Sequence, residues 1–141
     1  MPAKGSAEWK GDVPTGTGTF TAGDTISGGY TFKSRFEDGP GSNPEQLIAA
    51  AHAACFTMAF SFACDAAGFA TSAVDTQAAV RLVMKGNGFL IERISLNLEA
   101  TVPGIDEATF QKLAEGAKQQ CPLSKALASV PEITLTALLR K

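Results

Sequence analysis

The chain has 141 residues, of which 45% are hydrophobic and 18% are charged, a composition typical of one globular domain with its own core. Its net charge is −2 and its lysines and arginines are scattered, which excludes the basic surface needed to bind nucleic acid or an anionic membrane. Three cysteines without a CxxC pair and a single histidine argue against a disulfide framework and a metal site. The opening MPAKGSAEWKGD lacks the apolar region of a signal peptide, so we expect a cytoplasmic protein with free thiols and no cofactor.

The first part of the chain predicts short strands followed by a loop. Sequence rich in glycine and threonine carries β-favouring pieces at residues 8–10, 18–21 and 29–35, with turn signals between them. The sequence FEDGPGSN at 36–43 is rich in residues that favour turns. We therefore expect a meander of short strands that ends in this loop.

A long apolar helix follows the loop. Asn43 is a suitable N-cap, Pro44 suits the first helical position, and Gly68 is placed to end the helix near Ala67. The run Leu47–Cys64 carries no formal charge, and its length borders on that of a membrane span. Because the run is mostly alanine and includes polar side chains, we interpret it as the central helix of a soluble core or dimer interface.

The remaining sequence alternates between strands and helices. It predicts strands at 76–84 and 94–102 joined by a turn at 86–88, a helix after Asp106, a short helix from Pro122 and a last strand at 133–138. No repeat and no linker divides the sequence. We therefore predict a single α+β domain over residues 1–141, with antiparallel strands around the long apolar helix.

The three thiols differ in their predicted surroundings. Cys55 lies in the middle of the long helix with His52 one turn before it, where burial raises a thiol pKa and an activating cation such as Arg35 has to come from elsewhere. Cys64 lies further along the same helix and points to roughly the opposite side. Cys121 lies at the predicted start of the short helix. From the residues alone it is the first candidate for a low-pKa nucleophile, and the alternative is that it only caps the turn.

Several stretches together resemble one known family. The sequence carries RFEDGPGSNPEQLIAAAHAACF, AAGF, VPGID, QCPLSKAL and EITL in that order, after AEWKGD and TFKSRFE. In combination they resemble the OsmC/Ohr family, and its OsmC branch in particular, from roughly Gly5 to Leu139. The resemblance implies an intertwined homodimer in which antiparallel sheets wrap around a long central helix. It also implies a thiol-dependent peroxidase that reduces organic hydroperoxides, and inorganic ones less well, in defence against oxidative stress.

The same resemblance assigns the site residues. Cys55 matches the family's peroxidatic cysteine and Cys121 its resolving cysteine, so the attacking role passes from Cys121 to Cys55. Arg35 matches the arginine ahead of the loop and Glu45 the glutamate of the NPE motif, and we expect them to stabilise the thiolate as a pair. Glu45 and Cys55 lie about 15 Å apart along one helix, so we expect Arg35 or Glu45 to act on Cys55 of the other subunit.

The identity of the substrate and the reductant is less defined. An external dithiol is expected to reduce the disulfide, and in the Ohr branch this is a lipoylated protein. Phe56, Met58 and Phe60 suggest an apolar entry that favours organic hydroperoxides over hydrogen peroxide, the alternative being that they form only core and interface.

Two other functions stay open, namely a dimer that binds an apolar ligand and a redox sensor that forms the same disulfide without turnover. Peroxide-driven formation of a Cys55–Cys121 bridge distinguishes the enzyme from the binding dimer, and sustained peroxide consumption with a dithiol distinguishes it from the sensor. We expect Cys64 to have a packing role and His52 a core or orienting role.

Overall fold

The computed structural model describes residues 1–141 as two groups of strands with four helices. The strands are β1 (Gly5–Lys10), β2 (Thr17–Ala22), β3 (Ile26–Tyr30), β4 (Ala73–Lys85), β5 (Gly88–Thr101) and β6 (Glu132–Leu139). The helices are α1 (Phe32–Phe36), α2 (Pro44–Ala66), α3 (Glu107–Gln120) and α4 (Pro122–Ala126). Contacts divide the chain into two compact units, Met1–Leu47 and Ile48–Lys141, and the boundary between them falls inside α2.

The first unit contains a three-stranded antiparallel meander. β1 pairs with β2 and β2 with β3, with Ala7 opposite Phe20 and Phe20 opposite Gly28. The ring of Tyr30 lies 5.5 Å from that of Trp9 and 6.3 Å from that of Phe20, measured between centroids. These ring contacts stabilise a sheet that is too small to depend on its ladder alone. The predicted meander is confirmed.

The third predicted strand is wrong beyond Tyr30, because the chain turns there into α1. The Thr31 hydroxyl accepts a hydrogen bond from the Ser34 N–H at 3.1 Å, and the Thr31 N–H donates to the Ser34 hydroxyl at 2.8 Å. This reciprocal capping box starts a helix in a segment whose aromatic residues favour a strand. Arg35 therefore lies on a short helix and not at the end of a strand.

Local signals set both ends of α2 as predicted. The Asn43 side chain accepts a hydrogen bond from the Gln46 N–H at 2.8 Å, which caps the first turn. At the other end Gly68 has a φ of +88°, the left-handed conformation that ends a helix and favours glycine. α2 is the one helix that is long and apolar enough to cross a membrane. The core helix of a soluble protein meets the same criteria of length and composition.

The second unit contains the sheet β4–β5–β6. Lys85 faces Gly88 across the β4–β5 hairpin, so the turn consists of two residues, and the first of them, Gly86, has a φ of +63°. This hairpin is confirmed. β6 pairs with β5 in parallel, with Ile94 opposite Ile133, so the expectation of antiparallel strands fails for this pair. A strand parallel to β5 has to start at the same end of the sheet. The helices α3 and α4 form the crossover that carries the chain back to that end.

One core fills the second unit. Alternate residues of β5 point inward, and Ile94, Leu96, Leu98 and Ala100 are buried. Other buried members are Phe56, Phe60 and Cys64 on α2 and Phe110, Ala114 and Ala117 on α3. The rings of Phe60 and Phe110 meet edge to face with centroids 5.6 Å apart, which locks α2 and α3 together on the sheet.

Candidate active site

Arg35 and Glu45 form a charged pair within the first unit. α1 carries Arg35, and the first turn of α2 carries Glu45. The guanidinium donates to the carboxylate through Nη2 at 2.8 Å and through Nε at 3.2 Å. Glu45 is only 8% exposed, so the carboxylate is shielded from water and holds the guanidinium in one orientation. The expected pairing of these two residues is present.

Cys55 and Cys121 come together within the second unit. Cys55 is half-buried on α2, and Cys121 is buried at the junction of α3 and α4. The Cys121 N–H donates to the Ala117 carbonyl, while the Cys121 carbonyl accepts from the Lys125 N–H, so its backbone belongs to both helices. The Cys121 side chain makes no capping hydrogen bond, which argues against the alternative that it only caps the turn.

The surroundings of Cys55 do not favour a thiolate. Burial raises the pKa of the Cys55 thiol, and the neighbouring Cys121 thiol raises it further. The backbone N–H of Leu123 opposes this and lowers the pKa, because it stabilises the charged sulfur. The predicted effect of burial is confirmed, and an activated Cys55 needs a positive charge in addition to this amide.

A hydrogen bond between His52 and Ser124 lies one turn away from the two thiols. His52 Nε2 and Ser124 Oγ are 2.8 Å apart and buried. Burial lowers the pKa of His52, and Nδ1 of the ring has no hydrogen-bond partner. A neutral, buried imidazole agrees with the expected core role of His52. Ser124 did not stand out in the sequence, although it follows Cys121 at the same spacing at which His52 precedes Cys55.

An apolar groove of about 750 Å³ lies beside Cys55 between α2, α3 and the start of α4. Met58 and Phe62 line it from α2, and Leu113 and Pro122 line it from the other side. Met58 is 62% exposed and Phe62 is 64% exposed. The apolar surface near the thiol is thus built partly from residues other than those expected.

Phe56 and Phe60 are fully buried in the core and do not line the groove. Cys64 is also fully buried there, and burial with the nearby Asp65 raises the pKa of its thiol to about 11. A thiol with this pKa is almost entirely protonated near neutral pH and is a poor nucleophile. The expected apolar entry is therefore wrong for Phe56 and Phe60, which follow the alternative of a core role, whereas the burial of Cys64 agrees with its expected packing role.

Comparison with known proteins identifies the family. Residues 37–136 match the model of the OsmC-like protein family. The chain is 46% identical to "Peroxiredoxin OsmC" of Escherichia coli (strain K12), over 94% of this chain and 92% of that protein. It is 35% identical to an "Organic hydroperoxide resistance protein" of Xanthomonas axonopodis pv. citri, over 70% of this chain and 68% of that protein.

Solved structures share the fold. The organic hydroperoxide resistance protein OhrB of Bacillus subtilis matches 99% of this chain and 98% of its own with a TM-score of 0.69 at 25% identity. An OsmC-like protein from Mycoplasma pneumoniae matches 100% of this chain and 99% of its own with a TM-score of 0.78, and its 15% identity makes this a likeness of fold alone. The sequence match over both units and the relatives in both branches lead to one conclusion: the chain belongs to the OsmC-like protein family.

Proposed function

We propose that the protein is a thiol-dependent peroxidase that reduces organic hydroperoxides to alcohols, with Cys55 as the peroxidatic thiol and Cys121 as the resolving thiol. The observation that carries the proposal is that the two thiols are neighbours. Cys121 lies near enough to Cys55 to raise the pKa of its thiol. Relatives named as a peroxiredoxin and as hydroperoxide resistance proteins support the activity. The family match spans both units, which supports one functional domain over residues 1–141.

The proposed cycle has three steps that balance in atoms and electrons. The Cys55 thiolate attacks the distal peroxide oxygen, the O–O bond breaks, and the alkoxide takes up a proton and leaves as the alcohol. The Cys121 thiol then attacks the Cys55 sulfenic acid, which forms the disulfide and releases water. An external dithiol reduces this bond by exchange and is itself oxidised to a disulfide. Both electrons for each peroxide therefore come from thiols.

We assign the activation of Cys55 to Arg35. Because burial raises the pKa of Cys55, attack at neutral pH needs a cation near the sulfur. The guanidinium that Glu45 orients is suited to this role and to the charge that develops on the peroxide oxygens. Glu45 and Cys55 are separated by about 15 Å along α2, which supports delivery of Arg35 by the other subunit of a homodimer.

An exposed apolar stripe on α2 supports the homodimer. Ala51, Ala54, Met58 and Phe62 recur at helical spacing and are all exposed in the single chain. Water contact with such a stripe is costly, and a second copy of the same helix covers it with matching apolar surface. The groove beside Cys55 then becomes an apolar pocket at the interface, which favours organic hydroperoxides over hydrogen peroxide.

The reductant is proposed to be a dithiol, for which a lipoylated protein is the first candidate through the Ohr branch of the family. A dithiol closes its own ring on oxidation and so drives the exchange to completion.

The cytoplasm, where thiols stay reduced, is the proposed location.

Oxidation of the reduced protein with one equivalent of cumene hydroperoxide tests the proposal. Intact mass and a non-reducing peptide map are expected to reveal the loss of two hydrogens and a Cys55–Cys121 bridge, with Cys64 unmodified. Continued consumption of cumene hydroperoxide with dihydrolipoamide distinguishes the enzyme from a sensor. An unchanged mass, or oxygen added only at methionines and Cys64, would contradict the proposal and favour the apolar-ligand-binding dimer.

Mixed dimers test whether Arg35 acts across the interface. The variants Cys55→Ser and Arg35→Ala are each expected to be inactive alone. After subunit exchange, an intersubunit site restores about a quarter of the wild-type activity, because half of the dimers then carry one complete site. If Arg35 serves its own chain, no mixed dimer holds a complete site and activity stays at the level of the variants.

A further inference from the structure

Two separate contacts join the same two segments of the second unit. His52 lies three residues before Cys55 on α2, and Ser124 lies three residues after Cys121 on α4. The His52–Ser124 hydrogen bond, with 2.8 Å between Nε2 and Oγ, is thus about one helical turn away from the thiol pair. The length of this hydrogen bond therefore helps to set the distance between Cys55 on α2 and Cys121 at the start of α4.

The other contacts of α4 are local or apolar: Lys125 donates to the Gln120 side chain at 3.3 Å, and leucines pack against the core. The helix has five residues, and Leu123 within it and Leu127 directly after it are only partly buried where they pack against the core. Apolar packing is not directional, whereas a hydrogen bond fixes both distance and angle. His52 is fully buried and Ser124 nearly so. Because water has little access to either partner, separation of the segments leaves two largely buried polar groups unsatisfied.

The imidazole is suited to positioning and not to proton transfer. Nδ1 of His52 is buried without a partner, so a protonated ring would carry an N–H donor that nothing accepts. Burial also lowers the pKa of His52, in agreement with a ring that stays neutral. A neutral ring with one strong hydrogen bond holds α4 in place without changing charge during the cycle.

We propose that His52 and Ser124 are positioning residues for the resolving step, which hold α4 on α2 so that the Cys121 thiol stays beside Cys55 after Cys55 has become a sulfenic acid. This inference rests on the two-cysteine activity proposed above. In this proposal the His52–Ser124 hydrogen bond controls which of two reactions the Cys55 sulfenic acid undergoes.

The two reactions have different requirements. In the first, Cys121 attacks the sulfenic acid, a disulfide forms and water leaves. In the second, another hydroperoxide transfers an oxygen atom to the sulfenic acid, which gives a sulfinic acid and an alcohol. The first depends on the position of Cys121, and small misplacements of a reacting group have large effects on rate. The second depends only on access and on peroxide concentration.

The ratio of sulfinic acid to disulfide measures this control. Each protein is reduced, separated from the reductant, treated with increasing cumene hydroperoxide, alkylated, and analysed by intact mass. Ser124→Ala is expected to reach half sulfinic acid at about tenfold lower peroxide than wild type, the factor that corresponds to one buried hydrogen bond. Ser124→Thr keeps the hydroxyl and should restore most of the wild-type ratio. Because both products form from one sulfenic acid, the rate of the first step cancels from the ratio.

Thr57→Val is the matched control. Thr57 lies two residues after Cys55 on α2 and donates to the Thr76 hydroxyl of β4 at 2.7 Å, so its replacement removes a hydrogen bond that leads to no thiol. A wild-type ratio is expected for this variant. Equal ratios in Ser124→Ala and wild type would overturn the proposal, as would an equal shift in Thr57→Val. A wild-type protein that forms no disulfide at all would instead contradict the peroxidase function.

Nuclear magnetic resonance of the wild-type protein gives a second test that needs no variant to fold. His52 is the only histidine of the chain, so its ring nitrogen signals are unambiguous. The signals of reduced and disulfide forms are expected to report the same neutral ring with its Nε2 hydrogen bond intact, because α4 stays on α2 throughout. Loss of that hydrogen bond in the disulfide form would overturn the proposal.

Discussion

Arg35 presents two N–H groups to the Glu45 carboxylate, with Nη2 at 2.8 Å and Nε at 3.2 Å from Oε1, and the same Nε lies 3.3 Å from Oε2. Such a fork fixes the plane of the guanidinium, which an ammonium group cannot reproduce. Arg35→Lys is therefore expected to lower kcat/KM for cumene hydroperoxide by about a hundredfold and Glu45→Gln by about tenfold. Lys33→Ala removes another positive charge from α1 and is expected to leave kcat/KM unchanged. Equal effects of the Lys33 and Arg35 variants would mean that only the local charge matters.

Cys64 is expected to contribute to stability and not to activity. Its side chain is fully buried in the core, and the pKa of its thiol is about 11. Cys64→Ala leaves a small cavity and should lower the free energy of unfolding by about 1 kcal/mol, measured by urea denaturation. Peroxide turnover with a dithiol should be the same as in wild type. A loss of turnover in the folded variant would give Cys64 a place in the cycle.

The buried His52 should make the stability depend on pH near its ordinary titration range. Burial lowers its pKa below the reference value of 6.5, so the unfolded chain binds a proton at a higher pH than the folded chain does. The stabilising contribution is therefore complete above pH 6.5 and decreases as the pH falls from there towards the lowered pKa.

His52→Gln is neutral in both states and should reduce the difference in unfolding free energy between about pH 7.5 and about pH 5.5. Asp12 and Asp106, whose pKa values are lowered from 3.8, titrate outside this window. An unchanged difference in the variant would show that His52 is not the group responsible.

The apolar stripe of α2 is expected to hold the homodimer together. Phe62→Glu places a charge at the position of its largest side chain and should give a monomer by light scattering, with loss of peroxidase activity if Arg35 acts across the interface. Met84→Glu is the matched control, because Met84 is 71% exposed at the end of β4 and away from the stripe. A dimeric Phe62→Glu variant would place the interface elsewhere.

The sequence predicted best those features that short-range contacts determine. The helix starts at Asn43 and Asp106 follow from side chains that accept hydrogen bonds three residues ahead. The hairpin at Gly86 follows from the need for a left-handed turn between two alternating strands. The pairing of Arg35 with Glu45 came from the family resemblance, since spacing alone does not bring together a residue before a loop and a residue after it.

Features that depend on distant partners were missed or assigned incorrectly. The capping box of Thr31 and Ser34 overrides the strand preference of an aromatic segment. The partner of His52 could not be identified, because Ser124 lies 72 residues away and any buried hydroxyl would have served. One signal could have suggested Ser124: it lies three residues after Cys121, just as His52 lies three residues before Cys55.

The parallel pairing of β6 with β5 also has a consequence for how the chain folds. β4 and β5 are neighbours in sequence and can form their hairpin early, whereas Ile133 finds Ile94 only after the crossover has closed. Cys121 lies on that crossover, so it reaches Cys55 among the last long-range contacts. A newly synthesised chain is therefore expected to keep the two thiols apart until the crossover has closed, and the proposed bridge between them requires the completed fold.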